Sequence, residues 1–384
     1  MSGHIRRRGT HSWELKFDVG TDPVTGRRMT RYETFRGSKR DAQRRLTELL
    51  GKVDAGILIE RSKETVSEYI ERWKRDWVAS NVSCKTGERY RELAETHIRP
   101  HLGAIPLQKL RPAHLGELYA KLLREGRGEG RGLAPRTVGH VHRVLHKALA
   151  VALDWDLVSS NAADRVRAPR VVAGEVEILT EQQVSEVLTR LHGRALYPIV
   201  ALALATGLRR GELLALSWGN VDLDAAKLRV ERSLEQTKEG LHFKSPKTRH
   251  GRRVVSLSPW IVRDLRAHRK AQQEQRLRFG LGQLPDEALL FSNPDGDPRS
   301  PNAMSKEWTR TAAQLGLSRV NFHAFRHTHA SQLIAARMDV LTISRRLGHG
   351  SPTITLAVYG HLFSNTDDEA ARIMERAFGG IAPE

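Results

Sequence analysis

Thr206-Gly207-Leu208-Arg209-Arg210-Gly211-Glu212 joins the end of an apolar helix, from Tyr197 onward, to Leu213, Leu214 and Leu216. The junction therefore sets an arginine and a carboxylate at a buried turn, where each charge needs a partner. Glu212, three residues after Arg209, can hold that guanidinium in one orientation and leave its other donors free. On this motif alone a structural salt bridge explains the pair equally well. The apolar run Tyr197 to Leu208 is broken by Thr206 and Gly207 and is too short to span a bilayer. The segment reads as part of a mainly helical domain.

Farther along, Phe322-His323-Ala324-Phe325-Arg326-His327 spaces His323 and Arg326 three residues apart, on one face of a helix whose other face carries Phe325 and Leu333. One imidazole and one guanidinium can then point at a single anion. Leu347-Gly348-His349 ends a short helix with glycine as its C-terminal cap, and Ser351-Pro352 starts another. Ten residues beyond His349 stands Tyr359, the only tyrosine after Tyr197. Between these motifs, Lys244 to Leu257 mixes charged and apolar residues around Pro246 and Arg249 to Gly251, which suits a two-stranded hairpin with Lys247 just before its turn. A lone hairpin lysine is ordinarily solvated, and only its company singles it out. His323, His327 and His329 invite a zinc reading, but the glutamate and third ligand of a metalloprotease helix are missing. No metal site is expected.

Arg209, Arg326, Lys247, His323, His349 and Tyr359 together suit phosphodiester transfer. Arginine forks bind the non-bridging oxygens and the charge that builds on them in a pentavalent transition state. Tyrosine supplies an oxygen nucleophile that yields a covalent intermediate, and lysine can protonate the departing sugar oxygen. The design needs no metal and no cofactor, and the segment has no acidic cluster at two-metal spacing.

Working back toward the start, Thr180 and Gln183 cap a helix with Val184, Val187, Leu188 and Leu191. Before it, Arg165 to Val176 lapses into basic and small residues and reads as an interdomain linker. Helical spacing recurs at Pro112 to Arg124, Ala134 to Trp155 and Thr86 to His97, and in a helix opened by the Thr65/Glu68 capping box with Val66, Tyr69, Ile70, Trp73 and Trp77. An all-α bundle follows, its aromatic stripe serving as core rather than as a base-stacking platform. Trp13, Leu15, Phe17 and Val19 alternate with Glu14, Lys16 and Asp18, the period of a half-buried strand. Turn residues at Asp22-Pro23 and Thr25-Gly26 lead to a return strand, Arg28 to Phe35, and Ser38 with Asp41 caps a helix carrying Ala42, Leu46, Leu49, Leu50 and Val53. This end, with Arg6, Arg7, Arg8, Arg27, Arg28 and Arg31, suits a small sheet laid on DNA.

The expected architecture is thus multidomain α+β. Residues 1–58 form a small three-stranded sheet plus helix, residues 62–170 an all-α domain, and residues 177–384 a mainly α domain with a small β-sheet or hairpin. A chain of 384 residues calls for such a division. Lys and Arg number 63 against 44 Asp and Glu, a net charge of +19 spread along the chain, which points to a nucleic-acid partner. The single cysteine, Cys84, excludes an intrachain disulfide and fits a reducing cytoplasm. No apolar stretch follows the basic residues near the start, so no secretory signal and no membrane association are expected.

In order and spacing these motifs resemble the phage-integrase family of tyrosine recombinases. That family orders an arginine in a TGLR-x-GE turn, a lysine on a β-hairpin, H-x-x-R on a helix, a histidine in an LGH turn, and a tyrosine. The resemblance places these roles on Arg209, Lys247, His323 with Arg326, His349 and Tyr359, with Glu212 supporting the first arginine. It implies an integrase that cleaves and rejoins DNA through a 3′-phosphotyrosyl intermediate to integrate or excise a mobile element. By the same resemblance residues 62–170 are a core-binding domain and residues 1–58 an arm-binding domain. The implied partners are double-stranded DNA at core and arm sites, further copies of the chain in a homotetramer on DNA, and an excisionase or DNA-bending host protein. Phe325 departs from the leucine usual before the arginine, and Gly251 from a common serine. A type IB topoisomerase shares the chemistry but not the small N-terminal sheet. A chromosome-dimer-resolving recombinase generally lacks that sheet, and a catalytically silent DNA-binding regulator would not keep the whole catalytic set.

Overall fold

The computed structural model describes residues 3–21, 25–54, 62–127, 130–171, 176–246, 251–363 and 367–378. It divides into two compact units, residues 1–172 and 173–384.

In the first unit, β1 (Gly3–Gly9), β2 (Ser12–Thr21) and β3 (Arg28–Arg36) form an antiparallel sheet in that order, followed by α1 (Lys39–Asp54). β1 carries only Ile5 as an apolar residue, and pairing sets Ile5 opposite Leu15. The pleat gathers Ile5, Leu15, Phe17 and Phe35 on one face, where they pack with Ala42, Leu46, Leu49 and Val53 of α1. Three strands would otherwise leave that face wet, and α1 completes the core. Ser38 caps α1, its Oγ accepting from the Asp41 amide at 3.2 Å. The Asp22-Pro23 turn lies outside the described residues. Alternation also sorts the arginines. Arg6, paired with Glu14, and Arg8 stand on the open face with His4, Lys16, Tyr32 and Arg36, whereas Arg7 and Arg31 pair with Trp13 and Phe17 and so border the covered face. The basic residues expected together on one surface are thus divided between two.

The rest of this unit is helical. α2 (Val66–Trp73) continues through a π turn at Lys74–Val78 into α3 (Ala79–Asn81), and α4 (Cys84–Leu93) through another at Ala94–Ile98 into α5 (Arg99–Leu102). α6 (Pro112–Glu125) and α7 (Pro135–Asp154) complete the bundle. The Thr65/Glu68 capping box forms, with the Thr65 amide 2.7 Å from the Glu68 carboxylate. Tyr69 and Trp73 are buried, and Trp73 stacks on Trp77 at 5.9 Å and on Tyr90 at 5.6 Å. The aromatic stripe is core.

In the second unit, α8 (Glu181–Leu191) precedes α9 (Tyr197–Thr206), whose Ile199 to Ala203 are all buried. A helix apolar on every side has to be enclosed. Here it is enclosed by α8, by α10 (Arg210–Leu213), by α11 (Pro259–Arg278) and by α13 (Ala324–Ala335). α12 (Pro301–Gln314), α14 (Val340–Leu347), α15 (Pro352–Tyr359) and α16 (Asp367–Phe378) make up the other helices. Phe325 is fully buried, edge-on to Trp308 at 4.6 Å and to Phe322 at 5.3 Å, so the larger ring fills an aromatic pocket.

The strands correct one expectation. Lys244 to Leu257 is not a single hairpin: β7 (Gly240–Lys244) pairs with β6 (Ser233–Thr237), whereas β8 (Arg253–Ser256) joins a separate sheet in the order β4 (Val221–Asp222), β5 (Lys227–Val230), β8. The β6–β7 turn falls at Lys238-Glu239, where Gly240 with φ +134° supplies the reversal. Lys247 belongs to the connection between the two sheets and lies outside the described residues. Among those residues no helix is long and apolar enough to cross a membrane.

Candidate active site

Two left-handed glycines open the site. Gly207, with φ +65°, ends α9, and Gly348, with φ +67°, ends α14. A Cβ on Gly207 would stand 2.7 Å from the His329 ring, and one on Gly348 would stand 2.7 Å from the Arg253 guanidinium. Both turns thus need glycine for backbone conformation and for space.

Arg326 on α13 reaches both turns. It is 2% exposed and donates from Nη1 to the Gly207 carbonyl at 2.7 Å and from Nη2 to the Leu347 carbonyl at 2.8 Å. Burial and the charge of Arg209 push its pKa down to about 9, so it stays cationic at neutral pH. Arg209 caps α10, donates from Nη2 to the Gly348 carbonyl at 3.1 Å and from Nη1 to Glu212 at 2.8 Å, and keeps 41% of its side chain exposed. The sequence placed both members of that pair in a buried turn, whereas only the carboxylate is buried, at 3% exposure. Arg210 turns away, to the Pro301 carbonyl at 3.0 Å.

Glu212 has a second partner that the sequence did not reveal. Arg253, 7% exposed, donates to both carboxylate oxygens at 3.2 and 2.9 Å and from Nε to the Arg346 carbonyl at 2.7 Å. Burial alone would raise the Glu212 carboxyl, but Arg253 and Arg209 hold it below its ordinary value. The spacing of Arg253 from Glu212 carries no local pattern; only the β5–β8 pairing brings it back.

His323 is the N-terminal cap of α13. Part of its surface is open, yet the protein packed around it and the charges of His327, Arg326 and Arg209 lower its pKa to about 4. His349 lies at Nδ1 2.8 Å from the hydroxyl of buried Thr355, and burial with the charges of Arg326 and Arg209 lowers it likewise to about 4. Both imidazoles are therefore neutral at pH 7 and can offer a hydrogen bond to an anion. Tyr359, the last residue of α15, is 1% exposed, and its hydroxyl lies 2.8 Å from His327 Nδ1. Burial raises its pKa, against the pull of Arg326 and Arg209. His329 is turned elsewhere, with Nδ1 2.7 Å from the Leu204 carbonyl and Nε2 accepting from Arg346 at 3.0 Å, so the three histidines do not converge on one point.

The structure thus brings Arg209, Glu212, His323, Arg326, His349 and Tyr359 into one electrostatic neighbourhood from four separate turns and helix ends. Lys247 is the one expected member it does not describe. Several cationic groups surround a single carboxylate, an arrangement that an incoming anion relieves.

Comparison with known proteins supplies the frame for this site. Residues 177–366 match the phage integrase family, and residues 65–123 match the phage integrase N-terminal SAM-like domain. A tyrosine recombinase XerC-like protein of Caldanaerobacter subterraneus is 23% identical over 97% of this chain and 98% of its own length. The ICEBs1 integrase of Bacillus subtilis is 24% identical over 96% and 98% respectively. Among solved structures, the Tn1549 transposon integrase in complex with a circular intermediate DNA aligns with a TM-score of 0.66 at 21% identity, covering 82% of this chain and 99% of that one. A lambda integrase tetramer bound to a Holliday junction aligns with a TM-score of 0.56 at 18% identity, over 91% and 96% of the two chains. With its helical bundle and its C-terminal unit both matched, the chain belongs to the phage integrase family and is a tyrosine recombinase.

Proposed function

We propose that this recombinase is an integrase that cuts and rejoins DNA at specific sites through a 3′-phosphotyrosyl bond on Tyr359, integrating or excising a mobile element. One observation carries the assignment of roles: the guanidiniums of Arg209 and Arg326 are pinned by backbone carbonyls of the two glycine turns, and their charge opposes the rise that burial imposes on the Tyr359 pKa. Pinned guanidiniums cost little reorganisation when charge builds on a phosphate. Arg209 and Arg326 clamp the non-bridging oxygens, His323 and His349 donate to them, and Glu212 fixes Arg209. Lys247 protonates the leaving 5′ oxygen. Tyr359, phosphorus and the leaving oxygen exchange one ester for another, so neither ATP nor a metal ion is consumed. A nicked suicide substrate carrying the element's junction should therefore trap a covalent protein–DNA adduct in EDTA and without nucleotide. An adduct that requires a divalent ion at constant salt contradicts this chemistry.

In this reading residues 177–384 are catalytic, residues 62–170 bind the core site, and residues 1–58 bind arm sites. The protein acts in the cytoplasm as a homotetramer on DNA, with an excisionase or DNA-bending host protein setting direction. The open face of the β1–β3 sheet, with His4, Arg6, Arg8, Lys16 and Arg36, favours an arm reader over a dimer-resolving recombinase. Replacing Arg6 and Arg36 by alanine should lower the salt slope of arm-site binding by about one per phosphate contact removed and leave core-site binding unchanged. An unchanged arm-site slope moves the contact off this face.

A further inference from the structure

We propose that His327 is a catalytic residue of this recombinase: it aligns the Tyr359 hydroxyl and takes up its proton as the oxygen attacks phosphorus. The proposal rests on the reading of Tyr359 as the nucleophile. His327 Nδ1 lies 2.8 Å from Tyr359 Oη, within direct proton-transfer distance, and among the described residues it is the one side chain hydrogen-bonded to that hydroxyl. His323 does not make this contact. It stands a turn earlier, with its ring edge-on to His327 at 4.8 Å and 90°. The two imidazoles so divide the work: His323 faces the phosphate clamp, and His327 faces the nucleophile.

The groups around His327 suit a base. His323 and Arg326 flank it on its own helix, and Tyr359 approaches from α15. Burial and the positive charge of Arg326 lower its pKa, so at neutral pH the ring is uncharged and, with its proton on Nε2, presents Nδ1 as acceptor to the hydroxyl. Burial raises Tyr359, so that oxygen starts protonated and needs a base.

The step balances without any further reactant. The Tyr359 Oη–P bond forms, the P–O5′ bond breaks, the tyrosine proton moves to His327 Nδ1, and the 5′ oxygen takes a proton from the general acid assigned to Lys247. In rejoining, the 5′ hydroxyl attacks phosphorus and gives its proton back to the group assigned to Lys247, the Tyr359 Oη–P bond breaks, and the His327 imidazolium returns its proton to the departing tyrosine oxygen. An imidazolium beside Arg326 is repelled by it, which favours that return and keeps the two directions matched.

The alternative is a structural hydrogen bond, and asparagine separates the two, because its amide oxygen can stand near the position of Nδ1 and accept a bond but cannot take the proton. The unsubstituted chain, His327→Asn, His327→Ala and Tyr359→Phe would be assayed for single-turnover adduct formation on a suicide substrate across pH, with DNA affinity and thermal melting measured alongside. Both His327 variants should cleave roughly 100-fold or more slowly, as expected for loss of a general base, with DNA affinity retained. The wild-type rate should fall as pH drops through the His327 pKa, and this acid limb should be absent in His327→Asn. The limb is a ratio within one variant, so partial loss of folded protein does not move it. A His327→Asn protein that cleaves at the wild-type rate, or cleaves slowly but keeps the acid limb, overturns the proposal. Adduct formed by Tyr359→Phe would instead overturn the nucleophile assignment, so the two failures are distinguishable.

Discussion

Tyr359→Phe is expected to reduce covalent adduct formation to background while leaving DNA binding nearly intact. The substitution removes only the hydroxyl oxygen from a ring that is 1% exposed and packed in a core with Ala330, Ile334, Ile343 and Leu347. The ring's packing is therefore kept. The cost to the fold is at most that of leaving the partner His327 nitrogen unpaired, about 1–3 kcal/mol. A gel-shift titration and a suicide-substrate assay on the same preparation give the two numbers. Loss of both together would mean that the ring is needed for the shape of the DNA surface rather than for attack.

The second large effect concerns the guanidiniums. Arg209→Lys and Arg326→Lys should each slow cleavage by a factor of roughly 100 or more, because an ammonium cannot reproduce two fixed parallel hydrogen bonds to phosphate oxygens. The two variants should differ in stability. Arg326 is buried and bridges the Gly207 and Leu347 carbonyls, so lysine leaves one of them without its donor at a cost of about 1–3 kcal/mol. Arg209 is half exposed, and Arg253 keeps Glu212 paired when Arg209 is shortened, so Arg209→Lys should melt close to the wild type. Single-turnover rates with melting curves check both statements. Near-normal rates in both variants would move the clamp to other basic residues.

Much of this site was legible in the sequence because its parts are short and local. The i, i+3 pairs Arg209/Glu212 and His323/Arg326 and the helix-ending glycines Gly207 and Gly348 are fixed by helix geometry, which sequence spacing reports directly. The same holds for the capping boxes at Thr65 and Thr180 and for the alternating strand through Leu15 and Phe17. What escaped depends on non-local pairing. Arg253 meets Glu212 only because β8 crosses to β5, and the stretch around Lys247 looked like one hairpin because it mixes charged and apolar residues around Pro246 and the turn residues Arg249 to Gly251. His327 was visible only as a candidate metal ligand, since nothing in its spacing shows that α15 brings Tyr359 back to it. β1 has too few apolar residues to show a period, and its strand is imposed by its partner β2.

If Tyr359 carries the DNA, peptide mapping of the trapped adduct finds the nucleotide there. Protein captured on a suicide substrate labelled on the 5′ side of the scissile phosphate is digested with protease and nuclease, and the peptide that retains a nucleotide is sequenced by mass spectrometry. A 3′-phosphonucleotide is expected on the peptide containing Tyr359 and on no other. A nucleotide on a peptide containing Tyr32, Tyr69, Tyr90, Tyr119 or Tyr197, or on a serine, would contradict it.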